Sequence, residues 1–390
     1  MRRLLVALAV LCLGGLAVAV TAGRDGGGSV GAAQSAPAPT AGAGPGGAPE
    51  AAPEDRPVRL TVTVGGDLLP HLPVVQRAQA LAGGDGYDFA PLLLPIRPII
   101  RGADLALCHL ETPIGRGPPV GYPQFRGPAE LADAIRATGW DACSTASNHT
   151  LDGGQPGIDA TLRTLDRAGL RHTGSYRDAR GRARTLMLRV KGVKLAFLAY
   201  TATTNGLVAP HPWSVNMAAA PRILRDARRA RRRGARAVLV NLHWGTEYRQ
   251  TPDPAQRALA RRLAASRAIT AVFGQHAHVV QPIRRVRGRW TVFGAGNLLS
   301  NQTAACCHPA AQDGMVVALH LAVGQRTARV ERVTYTPTWV RHPDFTVLPV
   351  GRALRRDEAD AATLRASYER TVGVAGRAPG LRPIPARLPH

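Results

Sequence analysis

His276 and His278 stand two apart in Gly274-Gln275-His276-Ala277-His278. In an extended segment, residues two apart project to the same side, so both imidazoles are expected to reach one site or two adjacent metals. Other polar groups follow apolar runs in the same manner: Asp67 after Val58 to Val64, Glu111 after Asp104 to Leu110, Asn148 and His149 after Asp141 to Ala146, and His243 after Ala237 to Val240. Three neutral imidazoles, two carboxylates and one amide oxygen make a donor set suited to Zn, Mn or Fe. Two ions held about 4 Å apart need a shared ligand, for which a carboxylate is the natural bridge. Such a pair acidifies a water and holds phosphoryl oxygens, and a nearby histidine that binds no metal can protonate the leaving oxygen. One histidine alone is more often a satisfied core residue; a set of donors at successive strand ends is not.

The elements that must position these groups alternate in type. Val58, Leu60, Val62 and Val64 alternate with polar residues and run into a Gly65-Gly66-Asp67 turn, which reads as a strand ending on a carboxylate. Between the strands, Pro128 to Thr138, Pro156 to Ala168, Ala219 to Arg233 and Pro254 to Ser266 carry apolar residues at three- and four-residue spacing and predict helices. Strand and helix in turn define an α/β fold, in which functional residues sit beyond the carboxyl ends of the strands. Leu186 to Tyr200, centred on Lys191-Gly192, predicts an inserted hairpin, and Met315 to Leu321 with Ala328 to Thr334 predicts a second, so the sheets should be mixed. One helix is expected from Leu354 to Arg370, followed by a loose Pro/Arg tail. No repeat of 20 to 50 residues is present, which argues against a solenoid.

The chain has 390 residues, enough for one large domain, and only Leu4 to Val20 is apolar over a membrane-relevant length, which excludes a transporter with many spans. Met1-Arg2-Arg3, that run, and Ala19-Val20-Thr21-Ala22 read as a signal peptide over residues 1–22, with an uncleaved anchor as the alternative. An exported protein, secreted or tethered to the cytoplasmic membrane, is expected. Cys12 lacks the flanking small residues of a lipoprotein signal. Residues 23–56 are almost all Gly, Ala, Pro and Ser and read as a disordered linker, leaving a main domain at 57–345 and a C-terminal part at 346–390. Beyond the signal there are four cysteines, Cys108, Cys143, Cys306 and Cys307; either bridges or small buried side chains suit the first two, and the vicinal pair lacks zinc-site spacing.

Taken in order, Gly65-Gly66-Asp67, Asp104 to Thr112 (DLALCHLET), Ala146 to Gly154 (ASNHTLDGG), His243 to Tyr248 (HWGTEY), Gly274 to His278 (GQHAH) and Gly296-Asn297 resemble the bacterial capsule-synthesis CapA family, also called PgsA in poly-γ-glutamate systems, of the calcineurin-like metallophosphoesterase superfamily. The resemblance covers roughly residues 58 to 303 and implies a four-layer α/β/β/α metallo-dependent phosphatase-like sandwich. It implies two divalent ions, with a single ion as the alternative: Asp67 and His278 on one, Asn148, His243 and His276 on the other, Glu111 bridging, and His149 as the catalytic acid. Leu69 stands where the superfamily has the histidine of Asp-x-His, and His109 where the family usually has Asn; His71 and His109 are the candidates to make up the missing ligand, with a surface position or a supporting role behind the ligands as the alternative for each. Ser147 stands where another Asn is frequent. Glu247 and Trp244 follow His243 in the family pattern, Glu247 as an orienting carboxylate or an ion-pair member, Trp244 as a cleft wall or a packed aromatic.

The formal charge is +24, and all basic residues but Lys191 and Lys194 are arginine, as a GC-rich genome produces. The excess lies in residues 57–390 and should attract anionic polymers, anionic lipid and phosphorylated substrates. Arginines crowd the segment 222–236; Arg228, Arg229, Arg232 and Arg233 are the candidates for polyanion or membrane contact, against a plain solvated helix face. Nucleic acid is not expected in an exported chain with few aromatics. The partners implied are an anionic polymer or a phosphorylated envelope intermediate, an anionic membrane surface, and capsule-synthesis membrane proteins. Two functions follow: a metal-dependent phosphoesterase-like hydrolase of capsule or envelope polymer biosynthesis, or a non-catalytic assembly component that keeps the fold and binds the polymer.

Overall fold

The computed structural model describes residues 56–388. The signal, Cys12 and nearly all of the linker lie outside the described residues; within them no helix is long and apolar enough to cross a membrane. Two mixed sheets face each other. The first runs in the order β16 (Thr346–Pro349), β15 (Ala328–Arg341), β14 (Asp313–Val323), β1 (Val58–Leu68), β2 (Leu105–Leu110), β5 (Ala142–Ser144), β6 (Arg171–Thr173), with β13 (Asn297–Leu299) beside β1 and β17 (Leu381–Pro383) beside β15. The second runs β11 (Ile283–Val286), β12 (Arg289–Val292), β10 (Ala271–Gln275), β9 (Ala237–His243), β8 (Val193–Thr201), β7 (Leu186–Val190). A short pair, β3 (Ile114–Gly115) and β4 (Gly127–Pro128), stands apart.

The continuous apolar runs of these strands reflect burial on both faces. Along β9, Ala237 and Leu239 enter the core between the sheets, while Val238, Val240 and Leu242 pack outward on α7 (Ala220–Arg232) and α8 (Pro254–Ala264). Along β2, Leu105 and Leu107 face the central core, and Ala106, Cys108 and Leu110 face the opposite outer core. That outer core is closed by α1 (Leu72–Leu81), α2 (Ala90–Leu93), α3 (Arg97–Arg101), α4 (Glu130–Thr138) and α5 (Gly154–Arg167). Helices, sheet, sheet, helices is the four-layer α/β/β/α sandwich expected.

The hairpin of β7 and β8 forms as expected, with Lys191 (φ 44°) and Gly192 (φ 75°) in left-handed backbone at its turn. Three expectations need correction. The Gly65-Gly66-Asp67 segment is not a turn: β1 continues through it to Leu68, with a register shift against β2 between Val64 and Asp67. The single C-terminal helix is two, α9 (Val350–Arg355) and α10 (Ala361–Ala375), because Asp357 adopts a left-handed conformation and Asp360 caps a fresh start through the Thr363 N–H. The tail is not loose, since β17 pairs with β15 and Tyr368 donates to the Pro385 carbonyl. Cys108 bridges Cys143 across β2 and β5, and Cys306 bridges its neighbour Cys307.

Candidate metal centre

β1, β2, β5 and β6 are parallel, as are β8, β9 and β10, and the donors gather where the carboxyl ends of the two sets meet. Asp67 closes β1. A Cβ on Gly66 would lie 2.1 Å from the Gly296 carbonyl oxygen, so only glycine admits the close approach through which the Asp67 N–H donates to that same oxygen at 3.0 Å. Glu111 follows β2. Asn148 and His149 follow β5 in a loop fastened by Ser147, whose hydroxyl donates to the Glu111 carbonyl and accepts from the His149 N–H. His243 ends β9.

His276 and His278 do converge on the site, but not by strand alternation. β10 stops at Gln275, and both histidines have left-handed backbone, φ 94° and 55°. For residues with a Cβ this conformation is uncommon and costly, of order 1–3 kcal/mol each, and marks a functional constraint. The His276 N–H, donating to Asp67 Oδ2 at 3.2 Å, helps hold it.

All six donor residues are buried. His278 places Nδ1 3.4 Å from Asp67 Oδ2 and Nε2 3.5 Å from Glu111 Oε1. His243 Nε2 is 2.9 Å from Asn148 Oδ1 and 3.8 Å from Glu111 Oε1. Glu111 thus stands between the two groups that the family resemblance separates. Two sets of three, Asp67 with His109 and His243, and Glu111 with His276 and His278, have donor atoms mutually within 4.8 Å. Asp67 Oδ1, both Glu111 carboxylate oxygens and His276 Nδ1 are buried with no hydrogen-bond partner among the described residues. Two buried carboxylates left that bare are expensive unless a cation answers them. The donor set fits divalent metal.

Electrostatics favour ligation at His276 and His243. Burial, then the neighbouring His278, pushes His276 down to about 3; burial, then His276, holds His243 well below the usual range. These imidazoles are neutral, the form that ligates metal. Burial would lower His278 too, but the Glu111 and Asp67 carboxylates override it and hold it up at about 10. Burial, aided by Asp67, raises Glu111 well above the carboxylate range.

Of the two candidates for the missing ligand, only His109 reaches the centre. It pairs in register with Asp67 across β1 and β2, its Nε2 is 3.8 Å from Asp67 Oδ1 and 2.9 Å from His243 Nδ1, and its Nδ1 is 2.6 Å from Ser144 Oγ. Burial pushes it down to about 4. His71 is instead tied to the Asn301 N–H and stands edge-on to Phe125. Glu247 is exposed and hydrogen-bonds no donor residue. Trp244 is no cleft wall: it is buried on the outer face of the second sheet, stacked on Phe293 and donating to its carbonyl. Of the arginines, Arg228, Arg232 and Arg233 are exposed and Arg229 half-buried on α7, while Arg231 is a structural residue bound to the Ala268 carbonyl and Thr270.

Sequence reasoning gave no role to Asp152 and Asn297. Asp152 Oδ2 lies 2.8 Å from His149 Nδ1 and accepts the Phe125 N–H at 2.7 Å; its signal was the three-residue spacing from His149 to Asp152. Asn297 donates through Nδ2 to Gln302 and the Ala311 carbonyl, which leaves Oδ1 to accept from His278 Nδ1 at 3.0 Å.

Two facing mixed sheets between helical layers, with a buried centre of histidines, carboxylates and an amide at their strand ends, define a metallo-dependent phosphatase-like sandwich. The chain belongs to the bacterial capsule synthesis protein PGA_cap family, whose model matches residues 61–302. Among curated proteins it is 24% identical over 255 residues to the capsule biosynthesis protein CapA of Bacillus anthracis, covering 63% of this chain and 60% of that one. It is 26% identical to the PGA biosynthesis protein CapA of Bacillus subtilis (53% and 56%) and 26% to a probable polyglutamine synthesis accessory protein of Mycobacterium tuberculosis (51% and 56%). The chain thus spans 56% to 60% of the length of these relatives. Solved structures similar to it include the calcineurin-like phosphoesterase YfkN of Bacillus subtilis (TM-score 0.45, 13% identity, 80% of this chain and 99% of that) and a 5'-nucleotidase precursor of Thermus thermophilus (0.44, 13%, 70% and 54%).

Proposed function

We propose that this protein is an exported, metal-dependent phosphoesterase-like hydrolase acting on an intermediate or product of capsule polymer synthesis of the poly-γ-glutamate type. The observation that carries the reading is the buried convergence of Asp67, Glu111, Asn148, His243, His276 and His278 with carboxylate oxygens that no donor among the described residues satisfies. Asp67 and His278 would hold one divalent ion, Asn148, His243 and His276 a second, and Glu111 would be shared, with His109 beside Asp67 where the superfamily histidine is absent. Bound there, the ions would supply Lewis-acid polarisation of a substrate oxygen and acidify a water. The chain's own residues do the rest. His149 gives Nδ1 to Asp152, which fixes the ring and leaves Nε2, without a hydrogen-bond partner among the described residues, as the nitrogen that delivers a proton to the leaving oxygen. Ser147 ties the His149 backbone to the Glu111 backbone carbonyl, which fixes the two segments against each other.

Elemental analysis of protein purified without chelator or affinity histidines, beside a His276→Ala/His278→Ala control, tests the metal. Bound Mn, Zn or Fe that the control loses is expected; no metal after incubation with these ions sinks the hydrolase. With metal retained, His149→Ala should lower phosphoester turnover about 10²-fold or more. Unchanged function in that variant would favour the second reading, a non-catalytic polymer-binding component, for which the unpaired arginines described next speak. Export rests on residues 1–22, and N-terminal sequencing of the mature protein tests it.

A further inference from the structure

The free edges of the two sheets run side by side, β6 ending the first and β7 the second. Two recesses open along this seam. One, of about 640 Å³, lies over Thr173, Tyr176 and Leu186; the other, of about 520 Å³, lies over Gly169 and Leu188; Arg171 lines both. The carboxylates in their walls are already engaged. Asp166 accepts from Arg177 at 2.8 Å and lies 3.0 Å from His172 Nε2. Asp178 accepts the Gly181 N–H at the start of α6 (Ala179–Ala183), Asp104 pairs with Lys191 at 2.7 Å, and Asp141 accepts the Ala106 N–H at 2.8 Å. Arg177 and Arg136, which also line the recesses, pair with Asp166 and Asp141, but four further arginines are not matched. Arg171, Arg180, Arg184 and Arg189 line the recesses and are exposed, and their guanidinium groups have no hydrogen bond or ion pair among the described residues.

Four guanidinium groups spread along one concave seam, with the local carboxylates spent, make a surface for anions. Guanidinium forks match carboxylates bidentately. A single exposed contact of this kind is weak, so the seam suits a ligand that presents many carboxylates at once and gains by multivalency. The seam also adjoins the metal centre: Thr173 of β6 pairs with Ser144 of β5, whose hydroxyl holds His109. We infer that the seam between β6 and β7 binds a linear polycarboxylate. The choice of polycarboxylate rests on the capsule-polymer reading above. Arginines that merely discouraged edge-to-edge pairing of β6 and β7 would need no polymer and would show none of the selectivity below.

Anisotropy of a labelled poly-γ-glutamate chain titrated with the full-length protein tests this. Arg171→Gln/Arg180→Gln/Arg184→Gln/Arg189→Gln should weaken binding about tenfold or more, and Arg180→Gln/Arg184→Gln about threefold, in the event that the quadruple variant does not fold. Arg228→Gln/Arg229→Gln/Arg232→Gln/Arg233→Gln removes the same formal charge from α7 and should change binding less than about twofold. No loss in the seam variants, equal loss in the α7 variant, or equally tight binding of single-stranded DNA through the seam overturns the inference. Metal content of the same samples separates the two proposals. Seam binding without metal uptake overturns the hydrolase alone, and full metal uptake without seam binding overturns the seam alone.

Discussion

Glu111 shows how far a functional residue departs from what folding alone would choose. Its carboxylate is buried with both oxygens unsatisfied, beside a second carboxylate on Asp67. Burial raises it well above the ordinary carboxylate range, so in the metal-free protein an uncharged glutamine of the same shape stands in for the protonated acid. Glu111→Gln should therefore leave the metal-free protein as stable or raise its melting temperature, while abolishing the rise that added Mn or Zn gives the wild type; a metal-free Gln variant that melts well below wild type would contradict this account. Metal-induced stabilisation follows RT ln(1 + [L]/Kd), about 2.7 kcal/mol at a hundred times Kd, so the difference is readily measured. At this scale the sequence was informative, because donor types and the apolar runs before them are local facts. It did not reveal that Asp152 serves His149 or that Asn297 serves His278, since those pairings depend on side-chain direction.

At the scale of elements, four helices were legible from periodicity to within two residues: α4, α5, α7 and α8 fall on the four segments predicted, whereas α1, α2, α3 and α6 were not read from the sequence. α8 shows why. Asp253 accepts the Gln256 N–H at 2.7 Å while the Gln256 side chain accepts the Asp253 N–H at 2.9 Å, a capping box that fixes where the helix starts. Ala260 and Leu263 then fall inward. Asp253→Ala should cost about 1 kcal/mol, read as a lower urea midpoint with an unchanged slope, and Asp253→Asn much less. An unshifted midpoint for Asp253→Ala would mean that tertiary packing alone sets this end. Periodicity failed where one residue breaks a run, as Asp357 does between α9 and α10, and where a glycine pair read as a turn lies inside β1. Gly66 is glycine because Gly296 approaches it, and that neighbour is 230 positions away in the chain.

Over the whole molecule, one ion pair ties the two sheets together, and a second, local pair shares its sensitivity to acid. Asp104 accepts the Thr61 N–H of β1 at 2.9 Å and pairs with Lys191 on the hairpin of the second sheet. Burial pushes Asp104 up, yet the Lys191 and Thr61 contacts prevail and hold it below its ordinary 3.8; Asp344 is held down in the same way by Arg341 and Thr346. A depressed carboxylate contributes stability that is present above about pH 4 and lost as pH falls through its folded value. Urea midpoints measured from pH 7 to pH 3 should fall in acid, and Asp104→Asn/Asp344→Asn should lie below wild type at pH 7 and converge with it near pH 3; parallel curves would contradict the assignment. The chain by itself determined the alternation of strand and helix, the family and the chemical types at the strand ends, because each depends on nearest neighbours and short periods. Only the tertiary structure decided that β17 docks the tail, that His109 and not His71 stands at Asp67, that left-handed backbone aims His276 and His278, and that Trp244 is core. These depend on which strands become neighbours, and burial makes that choice across the whole chain.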